Sequence, residues 1–506
     1  MKYLIGLDNG GTVIKAAVFD ETGRQLAVAV EKVGLLTPAP GFTERDMEEL
    51  WQANARAIAR ALKASGVPPE KVVSLGISGH GKGLYLLDQS GNPLGNGIVS
   101  TDNRALEYEI AFSRSEIAER VRAVNHQNIL ACQPVCLLRW LKDNRPEEYA
   151  QIGAVLSVKD YIRYRLTGKV FAERTDISGS NLLNLTTGTY DRRILEWFGI
   201  EEVFDALPEV RDSAAECGRV TREAAAETGL CEGTIVAGGM FDIDACALSM
   251  GIVDESDLCV IAGTWSINEF IRKAPAETAA MNSYYCIPGY YLIEECSPTS
   301  AGNLEWALKQ LYSDEIARCG GMNAEFYAKL NREVSEVSPE ENSILFLPFL
   351  FASNEGPGYR GTFLNLTAAA TRAELAESVY EGIVFSHKSH IDRLLRAKEK
   401  PGTVRLAGGA ANSEVWCQMF ADVLNQRVCT VADREPGCFG AASAAGIAAG
   451  VYRDFIHAAA RAVQFDRIYE PDPKRVGIYA RKYAEYRRAI ESLSEFYTIR
   501  KEVLSC

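Results

Sequence analysis

The stretch GLDNGGTVIKAAVFD, Gly6 to Asp20, decides how the rest of the chain is read. Tyr3 to Leu7 is apolar and β-prone, Val13 to Asp20 is a second such run, and Asp8-Asn9-Gly10-Gly11-Thr12 between them has turn composition. The pattern predicts strand, tight turn, strand. A glycine turn lets an anion come close to backbone N–H groups at Gly10 and Gly11, and the Thr12 hydroxyl and Lys15 add donors. Asp8, at the strand end, is placed to hold Mg²⁺ directly or through water. A plain solvent-exposed hairpin shares this composition. The spacing GxxxxGK[ST] is absent, so this is not a Walker A loop.

Outward from that turn, Met47, Leu50, Trp51, Ala55, Ile58 and Leu62 recur at helical spacing behind Thr43. Lys71 to Ser78 is a buried-strand run. It leads through Gly79-His80-Gly81-Lys82-Gly83 into a strand over Leu84 to Asp88. Strands alternate with helices, which predicts an α/β class. The opening unit then recurs about 250 residues later. Leu258 to Ala262 is a strand, Gly263-Thr264-Trp265-Ser266 a turn and Ile267 to Ile271 a strand. Two domains of like fold follow, divided between Gly239 and Asp257: residues 1–245 carry the first turn and residues 246–506 the second. If both turns face one nucleotide, their amides grip different phosphates.

Near the division, VAGGMFDIDACALSMG (Val236 to Gly251) reads as strand, Gly-Gly turn and helix, with Asp242 and Asp244 in the first helical turn. A carboxylate there is ordinarily a cap. At the junction of two domains, Asp242 is also placed to accept a proton from an alcohol attacking a γ-phosphate, while Asp244 points to another face and reads as structural. Thr403 to Ala407 runs as a strand into Gly408-Gly409-Ala410-Ala411-Asn412-Ser413. Small residues there let a flat ring lie against backbone, and Asn412 can bond an adenine edge. Val415, Trp416, Met419 and Phe420 then share a helix face, Gly437 opens an Ala-rich helix, and Lys474 to Leu504 is a charged, Tyr-rich helix.

Composition excludes several classes. The chain has 506 residues, 47% hydrophobic and 24% charged, the proportions of a globular protein rather than a disordered one. A formal charge of −13 argues against nucleic acid and anionic membrane as partners. Asp8 interrupts any leader, and no apolar run is long enough to span a bilayer. The thirteen cysteines form no CxxC pair; Cys132 and Cys136 with His126 lack a fourth zinc ligand. His387 and His390, three apart on a helix, also lack further ligands. The expectation is reduced, buried thiols in a cytoplasmic protein.

Taken in order, these segments resemble the FGGY family of carbohydrate kinases, on the fold shared by actin, hexokinase and the heat-shock chaperone ATPases. The resemblance runs over nearly the whole chain: GLDNGGTVIKAAVFD, PGFTERD, ISGHGKGLYLLDQSGNPL, KDYIRYRLTG, GGMFD, AGTWS, SAGNLEW, GGAANSEVWCQMFADV and EPGCFGAASAAG. It implies a two-domain, ribonuclease H-like α/β fold with an interdomain cleft. It also implies transfer of the γ-phosphoryl group of Mg-ATP to a sugar or polyol hydroxyl. Asp242 would be the catalytic base. Asp8, Gly10, Gly11, Thr12 and Lys15 would meet the phosphates and metal, Gly263 and Thr264 the terminal phosphate, and Gly408, Gly409 and Asn412 the adenosine. His80, Gly81, Lys82 and Asp102 would join Asp242 around the sugar. A homodimer is the family expectation.

Departures within the family bear on the sugar. Lys82 stands where D-xylulose kinases place a histidine and glycerol kinases a glutamate. Ser100 opens the Ser100-Thr101-Asp102-Asn103-Arg104 segment where W-x-D-x-R is usual, and Gly11 replaces the usual threonine. The GKGL core, the S-x-D-x-R variant and Pro134 to Gly153 are most similar to bacterial L-xylulose kinases. L-Xylulose, phosphorylated at its 5-hydroxyl, is therefore the expected acceptor. Lys82 also suits an acidic ketose such as 3-keto-L-gulonate, unless it merely pairs with a protein carboxylate such as Asp102. The alternatives are a D-xylulose, ribulose or erythritol-type polyol kinase and, from another class, an actin-like or chaperone-like ATPase acting on protein. The chain has no room for a chaperone's peptide-binding domain.

Overall fold

Tyr3–Asn9 (β1) and Val13–Asp20 (β2) form the antiparallel hairpin that the sequence predicts, with Asp8 opposite Lys15. In this computed structural model, residues 1–506 are described except 12, 278, 357, 397–399, 432–434 and 505–506, with the side chains of 498–504 also left out. Thr12, one of the expected phosphate donors, lies outside the described residues. The chain forms two units. The first comprises Met1–Val253, Ile271–Ile293 and Asp433–Val463; the second comprises Asp254–Phe270, Glu294–Ala432 and Gln464–Cys506.

In the first unit β2 also pairs with Gln25–Lys32 (β3), and Met47–Ser65 (α1) packs on both through Leu50, Trp51, Ile58 and Leu62. Asp46 starts α1 by accepting the Glu49 N–H at 2.7 Å. Val72–Gly79 (β4) lies parallel to β1 and sets Ser78 beside Asp8. Val158–Thr167 (α2) and Arg174–Ser178 (α3) precede Glu216–Arg219 (β5), Ile235–Ala237 (β6) and the short Met240–Phe241 (β7), which leads into Asp242–Ser249 (α4). The sheet order is β5-β6-β4-β1-β2-β3, with β7 paired to the end of β4. The chain returns to this unit near its end, where the helix Pro436–Ala448 packs on β1, β4 and α4. Gly6 and Gly76 permit that: a Cβ on either would collide with the Cys438 or Ala441 carbonyl. Leu4, Ala17 and Phe19 share a buried cluster with Cys438, Phe439 and Ala445. The helix is apolar all round because it is buried all round.

The second unit repeats the arrangement. Leu258–Ala262 (β8) and Ser266–Arg272 (β9) form an antiparallel hairpin closed by Ala262 opposite Ser266. Tyr291–Ser297 (β10), Ala301–Leu311 (α5), Arg372–Leu394 (α6), Val404–Ala407 (β11), Glu414–Leu424 (α7), Val428–Val431 (β12), Phe465–Tyr469 (β13) and Pro473–Leu504 (α8) follow. The order β10-β9-β8-β11-β12 matches β3-β2-β1-β4-β6, including a parallel strand beside each hairpin. The fold is thus two-domain α/β. Helix α6 buries Glu381, which α8 neutralises through Lys482 at 2.5 Å, a role for the charged tail that its composition did not reveal. Among the described residues no helix is long and apolar enough to cross a membrane.

Candidate active site

The strand register gathers the polar residues of the first unit at one end of its sheet. Asp8 is half-buried, with Ser78 Oγ 3.0 Å from its Oδ1 and equally 3.0 Å from the Gly437 carbonyl. Gly437 belongs to the returning helix, and a Cβ there would lie 2.5 Å from the Asp8 carboxyl carbon. Burial lifts Asp8 from its ordinary 3.8 to about 6, against the pull of the Ser78 hydroxyl and Lys15. Burial also works against the Lys15 ammonium. Its 2.6 Å bond to Glu435 Oε2 and the charges of Glu435 and Asp8 outweigh that and raise its pKa.

The first turn is braced from behind. Buried Arg45 donates to the carbonyls of Gly10 (3.4 Å) and Gly11 (2.5 Å), and Asn54 donates to the Asn9 side chain at 2.9 Å. The Gly10 N–H is used inside the turn, bonded to the Val13 carbonyl at 3.1 Å. Sequence reasoning missed Arg45 and Glu435, since neither lies in a pattern that names its partner. A lone carboxylate with a braced anion turn is the donor set Mg²⁺ uses when phosphates and water complete its octahedron. Asp8 fits that role. No cluster of three or more His, Cys, Asp or Glu side chains suited to a metal occurs among the described residues.

Asp242 begins α4 directly after β7, whose pairing sets Met240 beside Ser78 and Phe241 beside Gly79. It thereby reaches the same end of the sheet as Asp8. Burial, then the charges of Asp8 and Asp176, push Asp242 well above the usual carboxylate range; Lys82 and the Ile243 N–H oppose the shift. Asp244 faces elsewhere and accepts the Cys286 N–H at 2.8 Å. Lys82 holds a left-handed backbone (φ 64°), rare for a side-chain-bearing residue, and its Nζ sits 5.7 Å from the Phe241 ring centroid. It lines a small cavity of about 20 Å³ beside Ser157, Asp176 and Ser180. Asp176 is anchored there by fully buried Lys159 at 3.1 Å.

Two expected sugar ligands are engaged by protein. The His80 ring sits 3.1 Å from the Tyr85 hydroxyl and 3.4 Å from the Gly81 carbonyl, and burial, helped by the Arg45 charge, lowers its pKa to about 4. Neutral His80 therefore supports the turn at Gly81, whose Cα lies against the Phe241 ring. The Asp102 carboxylate accepts from the Thr43 N–H (2.6 Å) and from the backbone and guanidinium of Arg104, itself stacked on Phe42. Asp102 is thereby held by Arg104 and Thr43.

In the second unit the sequence-predicted nucleotide residues also converge. Gly408 (φ 84°) backs onto the second turn so closely that a Cβ would stand 2.6 Å from Ala262 and 2.8 Å from the Gly263 nitrogen. From Gly408 the chain makes a short 3₁₀ turn over Gly409–Asn412, and Asn412 lines an open cavity with Asn331, Glu414, Gln418 and Tyr469. Its volume is about 600 Å³, ample for a nucleoside. Thr264 and Trp265 are exposed at the head of this tract. The Ala301 N–H, at the start of α5, bonds the Gly263 carbonyl at 2.8 Å. Asn331, Gln418 and Tyr469 escaped the sequence reading because they come from separate elements and carry no local motif.

Residues 3–249 match the profile of the FGGY family of carbohydrate kinases, N-terminal domain, and residues 258–449 match that of its C-terminal domain. The chain is 40% identical to the L-xylulose/3-keto-L-gulonate kinase of Escherichia coli (strain K12), covering 99% of both chains. It is 38% identical to a probable L-xylulose kinase of Pasteurella multocida (strain Pm70), over 97% of this chain and 99% of that one. A crystal structure of ligand-bound xylulose kinase from Lactobacillus acidophilus shares the fold, with a TM-score of 0.90 at 22% identity over 98% of this chain and 99% of the other.

Proposed function

This chain belongs to the FGGY family of carbohydrate kinases, and from that premise we propose that it transfers the γ-phosphoryl group of ATP to the terminal hydroxyl of L-xylulose. The convergence of Asp8, Asp242 and Lys82 at one end of the first sheet carries the reading. In this reading the first unit takes the sugar and the second the nucleotide. Asp242 accepts the proton of the sugar hydroxyl as its oxygen attacks the γ-phosphorus; the bond to the bridging oxygen breaks and ADP leaves with the electron pair. A carboxylate held above its ordinary pKa is a stronger base toward an alcohol than a solvated one. Lys15, Gly11, Gly263 and Thr264 orient the phosphates, and Gly408, Gly409 and Asn412 the adenosine. Mg²⁺, held by Asp8 directly or through water, supplies neutralisation of phosphate charge. The described cysteines, mostly buried, fit a cytoplasmic enzyme.

Lys82 favours a second acceptor, the acidic ketose 3-keto-L-gulonate. Lys82 lines a cavity with Asp176 and acts electrostatically on Asp242, a setting that suits an acidic acceptor. A coupled ADP-release assay over ketopentoses, polyols and keto-acids tests both readings. Turnover on L-xylulose is expected, and ATPase activity without sugar stimulation overturns the proposal. Asp242→Ala is expected to lose turnover by roughly 100-fold or more while still binding ATP; retained turnover removes Asp242 as base. Lys82→Met is expected to raise the KM of the acidic ketose more than that of L-xylulose, and no change in either KM refutes the role of Lys82.

A further inference from the structure

His387 is fully buried in α6 and takes part in no step described above. Its ring joins both sides of the second glycine turn. Nδ1 lies 2.9 Å from Asn268 Oδ1 and 3.0 Å from Ser266 Oγ, and Nε2 lies 3.1 Å from Ser300 Oγ. The Asn268 amide nitrogen donates to the Glu295 carbonyl at 3.3 Å, so its oxygen faces the histidine. Nδ1 therefore carries the proton and Nε2 accepts from the Ser300 hydroxyl. Burial, with the neighbouring His390 working in the same direction, keeps the ring neutral, as this tautomer requires.

The two serines occupy the turn's supports. Ser266 is the first residue after Gly263-Thr264-Trp265 and pairs with Ala262 across the hairpin. Ser300 stands at the start of α5, one residue before the Ala301 N–H that holds the Gly263 carbonyl at 2.8 Å. A serine in this place ordinarily caps the helix with its hydroxyl. Here Ser300 makes no side-chain cap bond; its hydroxyl goes to His387. The position that would cap α5 is thus used to fasten the turn to α6.

We propose that His387 is the positioning residue of the second phosphate turn: by bracing Ser266 and Ser300 together it fixes Gly263 and Thr264 where the terminal phosphate is held. This rests on the reading that Gly263 and Thr264 contact that phosphate. A neutral imidazole suits the task because it donates on one side and accepts on the other from a single rigid ring. His390, one helical turn on and also buried, serves as the control. Its ring bonds go to Ser297 at 2.7 Å, Glu295 at 3.2 Å, Asn354 and Arg393, and not to Ser266 or Ser300.

Steady-state kinetics with L-xylulose and ATP, alongside thermal unfolding, test the proposal on His387→Leu, His387→Gln, His390→Leu and Thr264→Ala. His387→Leu is expected to lower kcat by roughly 10- to 100-fold, with the KM of the sugar unchanged. His387→Gln, which keeps a donor and an acceptor, is expected to recover most of that loss. His390→Leu is expected to unfold at a similarly reduced temperature with kcat within about threefold of the parent. The proposal falls if His387→Leu and His390→Leu lose activity alike, if the sugar KM rises with the loss, or if His387→Gln folds but is no better than leucine. Thr264→Ala separates the layers. Unchanged kinetics in that variant refute the phosphate-turn reading and the proposal with it; impaired kinetics with a normal His387→Leu enzyme refute the proposal alone.

Discussion

The Lys82 cation favours the Asp242 carboxylate, and that attraction is measurable. A base must be unprotonated to act, so kcat/KM for the sugar is expected to rise with pH as Asp242 ionises. Burial and the charges of Asp8 and Asp176 place that rise well above the ordinary carboxylate range, and Lys82 holds it lower than it would otherwise be. Lys82→Met removes a positive charge that favours the carboxylate, so the acid limb is expected to move to higher pH. An unmoved limb in the pH profile means that Lys82 and the titrating group do not interact. At this scale the sequence was informative where chemistry sits beside glycine. Asp8 lies near the end of a strand beside Gly10-Gly11, and Asp242 opens a helix three residues after Gly238-Gly239, patterns with few uses. Arg45, Glu435 and Asn331 were not legible, because a brace is defined by its partner. Lys15 and Glu435 are 420 residues apart in sequence, and neither predicts the other.

Among the elements, the returning helix Pro436–Ala448 makes the sharpest test. In an exposed helix, glycine to alanine adds up to about 1 kcal/mol of stability. At Gly437 the added Cβ would meet the Asp8 carboxylate at 2.5 Å, and overpacking of this kind costs roughly 1–3 kcal/mol. Gly437→Ala is therefore expected to lower stability in urea titration despite the better helix former, and to lower kcat by displacing Asp8. A variant as stable and active as the parent contradicts the close approach. Periodicity predicted the strands at 3–7, 13–20 and 258–262 and the helices after 47 and 414 because each is long enough to repeat. It missed Met240–Phe241: two residues of strand show no period, and only their pairing with Ser78 and Gly79 defines them. The same small strand aims Asp242, so the site's geometry was less legible than its residues.

At the scale of the whole molecule, the repeated hairpin foretold two units of like topology, and the structure has them. The recurrence had a signal because both hairpins close on a glycine turn. The return of Asp433–Val463 to the first unit had none, since an Ala-rich helix packs equally well on any apolar sheet. Yet that segment completes the core around Leu4, Ala17 and Phe19. A fragment ending at Val253 is expected to lack cooperative thermal unfolding and to regain it when the 271–293 and 433–463 segments are joined to it; cooperative melting of the shorter fragment contradicts this.

The late return also imposes a schedule on the newborn chain. From Val253 to Val463, at roughly 5–20 residues per second, the ribosome needs about 10–40 s. Throughout that interval the hairpin made first stands with one face uncovered. The nascent chain is therefore expected to gain from holding chaperones, and slow codons between those points are expected to change yield rather than catalysis.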